Sequence, residues 1–215
     1  MAKYLTEFLG TFFLVLIIGL SLGSGSAQAP IAIGVGLAAM VYLGAHISGA
    51  HYNPAITLAF LINGDTHWKD AGIYFLVQLA GATLGALSAG IMIQDQDFTF
   101  LIEPAGSANP VQILLAEVLF TFFLALLFLN ISHNIKEMSK AYYGLAIGFM
   151  VMAGFYAVEG VSGAAFNPAI GFGPNVLHLN FFPMWYYAVG PFVGATLAAF
   201  TFRLMVKRDK DEAAK

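Results

Sequence analysis

The tripeptide Asn-Pro-Ala occurs twice, as Asn53-Pro54-Ala55 and as Asn167-Pro168-Ala169, and both copies suit the same chemistry. Asn is a favoured N-cap and Pro is pre-organised for the first helical position, so each copy marks a helix start. A helix start carries unpaired N–H donors and the positive end of the helix dipole. Two carboxylates, Glu7 and Glu117, sit inside strongly apolar runs. An ionisable group there suits either a proton relay or an acceptor for irregular backbone N–H groups, and one Glu per copy of a repeat favours the acceptor. His51 stands just before the first Asn-Pro-Ala, with no second liganding residue at sensible spacing. It is expected to pack behind that helix start rather than hold a metal. With no Cys, no clustered carboxylates in the apolar runs and no triad or metal spacing among five His, the chain does not read as an enzyme, and no cofactor or metal is expected.

The elements that must position these residues belong to a membrane. Of 215 residues, 59% are hydrophobic and 10% charged, the net charge is −3, and the mean hydropathy is +0.79. A soluble domain carries about 25% charged residues. The composition excludes a disordered chain and a nucleic-acid binder held by a basic patch. A membrane-spanning helix needs roughly 20 mostly apolar residues. Six runs meet that need: Leu5 to Leu22, Ile31 to Ala45, Ala71 to Ile93, Val111 to Ile131, Ala141 to Val158 and Trp185 to Val206. Asn53 to Ile62 and Asn167 to Val176 are apolar but too short to cross, and read as re-entrant half-helices. The first run has only Lys3 ahead of it and no convincing cleavage site, so it is expected to be a retained span rather than a signal peptide.

Every Lys and Arg falls before the first span, in alternate loops (Lys69, then Lys136 and Lys140), or from Arg203 through Lys207, Arg208 and Lys210 to Lys215. The intervening connections carry only Asp95, Asp97, Glu103 and Glu159. Cations in short loops stay on the cytoplasmic side, which places both termini there. The expectation is an integral membrane protein of the plasma (inner) membrane, with the lipid bilayer as its solvent and no nucleic-acid partner.

The chain repeats itself. Glu7-Phe8-Leu9-Gly10-Thr11-Phe12-Phe13-Leu14 returns as Glu117-Val118-Leu119-Phe120-Thr121-Phe122-Phe123-Leu124. Ser48-Gly49-Ala50-His51-Tyr52-Asn53-Pro54-Ala55 returns as Ser162-Gly163-Ala164-Ala165-Phe166-Asn167-Pro168-Ala169, and Gly81-Ala82-Thr83-Leu84 as Gly194-Ala195-Thr196-Leu197. Each copy holds three spans, an odd number, so the second must enter the membrane inverted. The fold class is therefore all-α, with six transmembrane helices plus two re-entrant half-helices in one membrane domain over residues 1–215. Its repeats run over about 1–93 and 111–206, and a cytoplasmic tail follows over 207–215. Inverted repeats place their functional site near the bilayer midplane, where discontinuous helices meet.

These residues together resemble the aquaporin, or major intrinsic protein, family. The resemblance covers essentially the whole chain. It rests on the paired Asn-Pro-Ala motifs, His46-Ile47-Ser48-Gly49 with His51 ahead of the first, Gly171-Phe172-Gly173-Pro174 after the second, the Glu-x-x-x-Thr-Phe pattern of each copy, and Gln78 ahead of Gly81. It implies a fold of six tilted helices around one pore, two half-helices meeting at its centre, and a homotetramer with a pore in every subunit. Two helix N-termini aimed at one point superpose partial positive charges of roughly half a unit each and repel cations. Asn53 and Asn167 would offer N–H donors to a passing oxygen while an apolar wall interrupts the water chain. Glu7 and Glu117 would support the loops before the motifs.

One position departs from the family. Its members usually carry Arg directly after the second Asn-Pro-Ala; here that residue is Ile170. Distance from the motifs assigns Ile33, Phe155 and Ala164 to the other filter positions, which makes the outer filter wholly apolar. The expected activity is passive conduction of water and other small neutral solutes. The alternatives are a facilitator of glycerol, urea, ammonia or hydrogen peroxide, and a poorly conducting structural membrane protein.

Overall fold

The computed structural model describes residues 1–93, 99–133 and 142–213, the segment 207–213 by its backbone alone. Among these residues it has eight helices: α1 (Ala2–Gly23), α2 (Ala29–Ser48), α3 (Pro54–Asn63), α4 (Trp68–Met92), α5 (Pro110–His133), α6 (Tyr143–Ser162), α7 (Pro168–Leu177) and α8 (Met184–Ala213). Six are long and apolar enough to span a bilayer, while α3 and α7 have ten residues each. The all-α membrane architecture read from the sequence is the one observed, with helix ends shifted by a few residues. The largest shift is at α8, which runs on past Val206 to Ala213, into the expected tail; α6 also runs on past Val158 to Ser162 and stops at Gly163, where φ is +81°. Lys136, Lys140, Asp95 and Asp97 lie outside the described residues, as do the side chains of the tail cations.

Apolar side chains lie on both faces of the spans. Leu76, Ile91 and Leu119 are exposed, as a lipid-facing surface requires, while Glu7, Thr11, Gln78 and Glu117 are fully buried. With apolar residues serving both lipid and core, helix position is set by close packing and by the few buried polar groups. The closest pairings are α1 with α4, α5 with α8, and α2 with α6. Gly81 and Gly194, which correspond in the repeat, explain the first two. A Cβ on Gly81 would meet the carbonyl oxygen of Phe8 at 2.5 Å, and one on Gly194 would collide with that of Val118. Only glycine lets those backbones come so near.

One end of the bundle gathers several polar side chains. Lys3 pairs with Asp70 at 2.8 Å, and Asp65 lies 3.2 Å from His133. Arg203 donates to the carbonyl of Ile62. At the other end, the segment after residue 98 lies against α7. Asn175 accepts from the Ile102 N–H at 3.1 Å and donates to the Ile102 carbonyl at 2.8 Å, fully buried.

Candidate functional site

Asn53 and Asn167 are the N-caps of α3 and α7. Each holds an extended backbone (φ −157° and −156°), and its Oδ1 accepts from the N–H of Ala55 or Ala169, at 2.8 and 2.9 Å. Pro54 and Pro168 take the first helical positions, where a missing N–H costs nothing. The amide nitrogens then cross between the two halves. Asn53 Nδ2 donates to the carbonyl of Phe166 at 2.9 Å, and Asn167 Nδ2 donates to the carbonyl of Tyr52 at 2.9 Å. Tyr52 and Phe166 correspond in the repeat, so the exchange is reciprocal, the pattern a two-fold relation produces. An amide nitrogen has two hydrogens. One on each Asn is committed to this cross-link, which leaves the other for a third group at the same spot.

The loops entering the half-helices are strained in the same way. Ala50 and Tyr52 have φ of +52° and +47°, and Ala164 and Phe166 have +53° and +49°. Left-handed backbone costs a non-glycine residue about 1 to 2 kcal/mol. Buried carboxylates offset that cost. Glu7 accepts from Ser48 Oγ (2.6 Å), His51 N (2.9 Å), Tyr52 N (2.7 Å) and Gln78 Nε2 (2.8 Å). Glu117 accepts from Ser162 Oγ (2.7 Å), Ala165 N (3.1 Å) and Phe166 N (2.7 Å). Tyr74 and Tyr187 donate to the carbonyls of Ser48 and Ser162, at 2.8 and 2.7 Å. His51 is buried, with Nδ1 3.1 Å from Thr57 Oγ1 and its ring 4.5 Å from that of Phe60.

The two Asn side chains border a small cavity of about 20 Å3, room for about one water molecule. Its wall is built from repeat-related pairs: Leu14 with Leu124, Ile18 with Phe128, Leu37 with Val151, and Ile56 with Ile170. The cavity therefore sits where the two copies meet. Further cavities lie one helical turn beyond it on either side. Stepping from Ile18 to Leu22 and from Val151 to Phe155 reaches one of about 150 Å3 that also includes Pro30 and Glu159. Stepping from Leu37 to Val41, from Ile56 to Phe60 and from Phe128 to Ser132 reaches one of about 480 Å3. The three spaces are separate and follow one another along the helices they share.

Three of the four proposed filter residues line these spaces. Ile33 and Ile170 line the central cavity. Phe155 faces the 150 Å3 space, its ring 6.4 Å from that of Phe166. Ala164 is buried in the strained loop and lines neither space. Sequence reasoning did not find the wall residues Leu14, Leu124 and Phe128, nor the Tyr74 and Tyr187 hydrogen bonds. The repeat register held a signal for the tyrosines, because both copies place Tyr at corresponding positions of α4 and α8.

The profile described as Major intrinsic protein matches residues 1–202. Aquaporin NIP1-1 of Zea mays is 34% identical over 213 residues, covering 94% of this chain and 74% of that protein. Aquaporin NIP1-4 of Oryza sativa subsp. japonica is 33% identical over 211 residues, covering 94% and 76%. Among solved structures, the aquaglyceroporin from Plasmodium falciparum has a TM-score of 0.84 at 21% identity, over 94% of both chains, a likeness of fold alone.

Proposed function

The chain belongs to the major intrinsic protein family of membrane channels, which are not enzymes, and we propose that it conducts water and other small neutral solutes passively across the bilayer. The observation that carries this reading is the meeting of Asn53 and Asn167 in one small, mostly apolar cavity. Each keeps one amide hydrogen for a solute oxygen. The paired N-termini of α3 and α7 disfavour cations at the same point, and an ion stripped of water finds little to replace it there.

In this reading Ile33, Phe155, Ala164 and Ile170 form an outer filter that supplies no side-chain donor. A water leaving one hydrogen bond unmade there loses on the order of 1 to 3 kcal/mol. The passage therefore favours small, weakly hydrogen-bonded solutes relative to a filter that carries Arg. Glu7, Glu117 and His51 position the loops rather than relay protons across the membrane. The distribution of Lys and Arg supports cytoplasmic termini; insertion in the plasma (inner) membrane is proposed with it, and a homotetramer with one pore per subunit is proposed from the family. Swelling and shrinkage of proteoliposomes in water, urea, ammonia, hydrogen peroxide and glycerol tests the reading. Fluxes above protein-free liposomes for water and for the smaller solutes are expected. Fluxes equal to the protein-free control for all five would overturn it.

A further inference from the structure

The repeat makes the path comparable on the two sides of its centre. Toward the 150 Å3 space, the central cavity reaches Ile18 on α1, Ile33 on α2 and Ile170 on α7. The corresponding residues toward the 480 Å3 space are Phe128 on α5, Ile147 on α6 and Ile56 on α3. Phe128 and Ile56 line the cavity, but Ile147 does not; it is fully buried and borders neither space. The cavity stops short on this side. Phe128 stands where the other copy has Ile18, and a phenyl ring fills space that an isoleucine leaves open. Its ring meets Tyr143 edge to face, with centroids 6.1 Å apart and planes at 86°, a preferred aromatic geometry. Tyr143 in turn lines the 480 Å3 space. The aromatic pair thus separates the two spaces.

We propose that Phe128 and Tyr143, backed by Ile147, form an inner hydrophobic barrier that limits the rate of permeation, on the side where the chain termini gather. The proposal rests on the channel reading above and assigns its slowest passage to a place that neither the Asn-Pro-Ala motifs nor the outer filter occupies. An apolar constriction too narrow for a continuous column of water resists flow by dewetting. Replacing Phe128 with its repeat counterpart should extend the central cavity to Ile147 and join it to the inner space.

The test compares native protein, Phe128→Ile and Tyr143→Leu, each checked for a monodisperse elution profile and reconstituted at matched amount. Osmotic water permeability is expected to rise several-fold in Phe128→Ile and by less in Tyr143→Leu. If either variant fails to fold, the other removes the same ring contact. Native flux above protein-free liposomes with no increase in the folded variants overturns the barrier and leaves the channel reading intact. Absence of flux in native protein and in both variants overturns both. The chain contains no Cys, so Ile147→Cys provides a single label with a second readout. Its thiol should react slowly with a small polar reagent, and at least tenfold faster when combined with Phe128→Ile; equal rates overturn the proposal.

Discussion

The loop ahead of α3 and the loop ahead of α7 have the same backbone but different polar surroundings. Both pass through paired left-handed residues, and both rest on a Glu that takes one Ser hydroxyl and two consecutive backbone N–H groups. The first loop has more. Gln78 bridges Glu7 and Thr57, and Thr57 contacts His51. At the corresponding positions the second loop has Pro191, Gly171 and Ala165, none with a side-chain donor. The shared contacts are therefore sufficient to hold the conformation, and the Gln78 network is an addition specific to one copy. Two loops that arrive at the same cross-linked Asn pair by unequal means separate what the site requires from what it merely contains.

The largest expected effect comes from removing the common element. Glu7→Ala and Glu117→Ala each strand at least three buried donors. At roughly 1 to 3 kcal/mol per unsatisfied group, either change should cost on the order of 3 kcal/mol or more. Both variants should lose thermal stability in detergent and lose flux. Tolerance of one with collapse of the other would break the equivalence. Gln78→Leu reduces the first site to the complement of the second. A loss of about 1 to 2 kcal/mol in stability is expected, with flux retained, because Glu117 already holds its loop without such a donor. Abolished flux in a folded Gln78→Leu variant would make the network part of the pore machinery. The smallest effect belongs to Tyr74→Phe and Tyr187→Phe. Each removes one hydrogen bond to a Ser carbonyl and should lower stability by about 1 kcal/mol, equally in the two copies.

Much of this organisation was legible in the chain because it is periodic or repeated. Apolar runs long enough to span lipid located α1, α2, α4, α5, α6 and α8, and the Asn-Pro pairs located the starts of α3 and α7. The repeat made Glu7 and Glu117 candidates for one structural task, and each accepts from a Ser hydroxyl and two consecutive backbone N–H groups. What was not legible depends on pairings without local signal. Asn175 clasps both backbone groups of Ile102 from far along the chain, and no spacing rule links them. The difference between Ile18 and Phe128 is visible in the sequence, but its consequence appears only when Ile147 is seen to be cut off from the central cavity. The four filter positions carried by distance from the motifs are also unequal in space, since Ile33 and Ile170 share a cavity with the Asn pair while Phe155 faces the next one.

The central claim is a passage for neutral solutes whose barrier to cations lies at the paired helix starts, with no charged side chain at the proposed filter. The most direct measurement records water flux and membrane potential together, in proteoliposomes holding a potassium diffusion potential. Raised osmotic permeability with the potential preserved is the predicted result. Water flux equal to that of protein-free liposomes, or collapse of the potential, would contradict it.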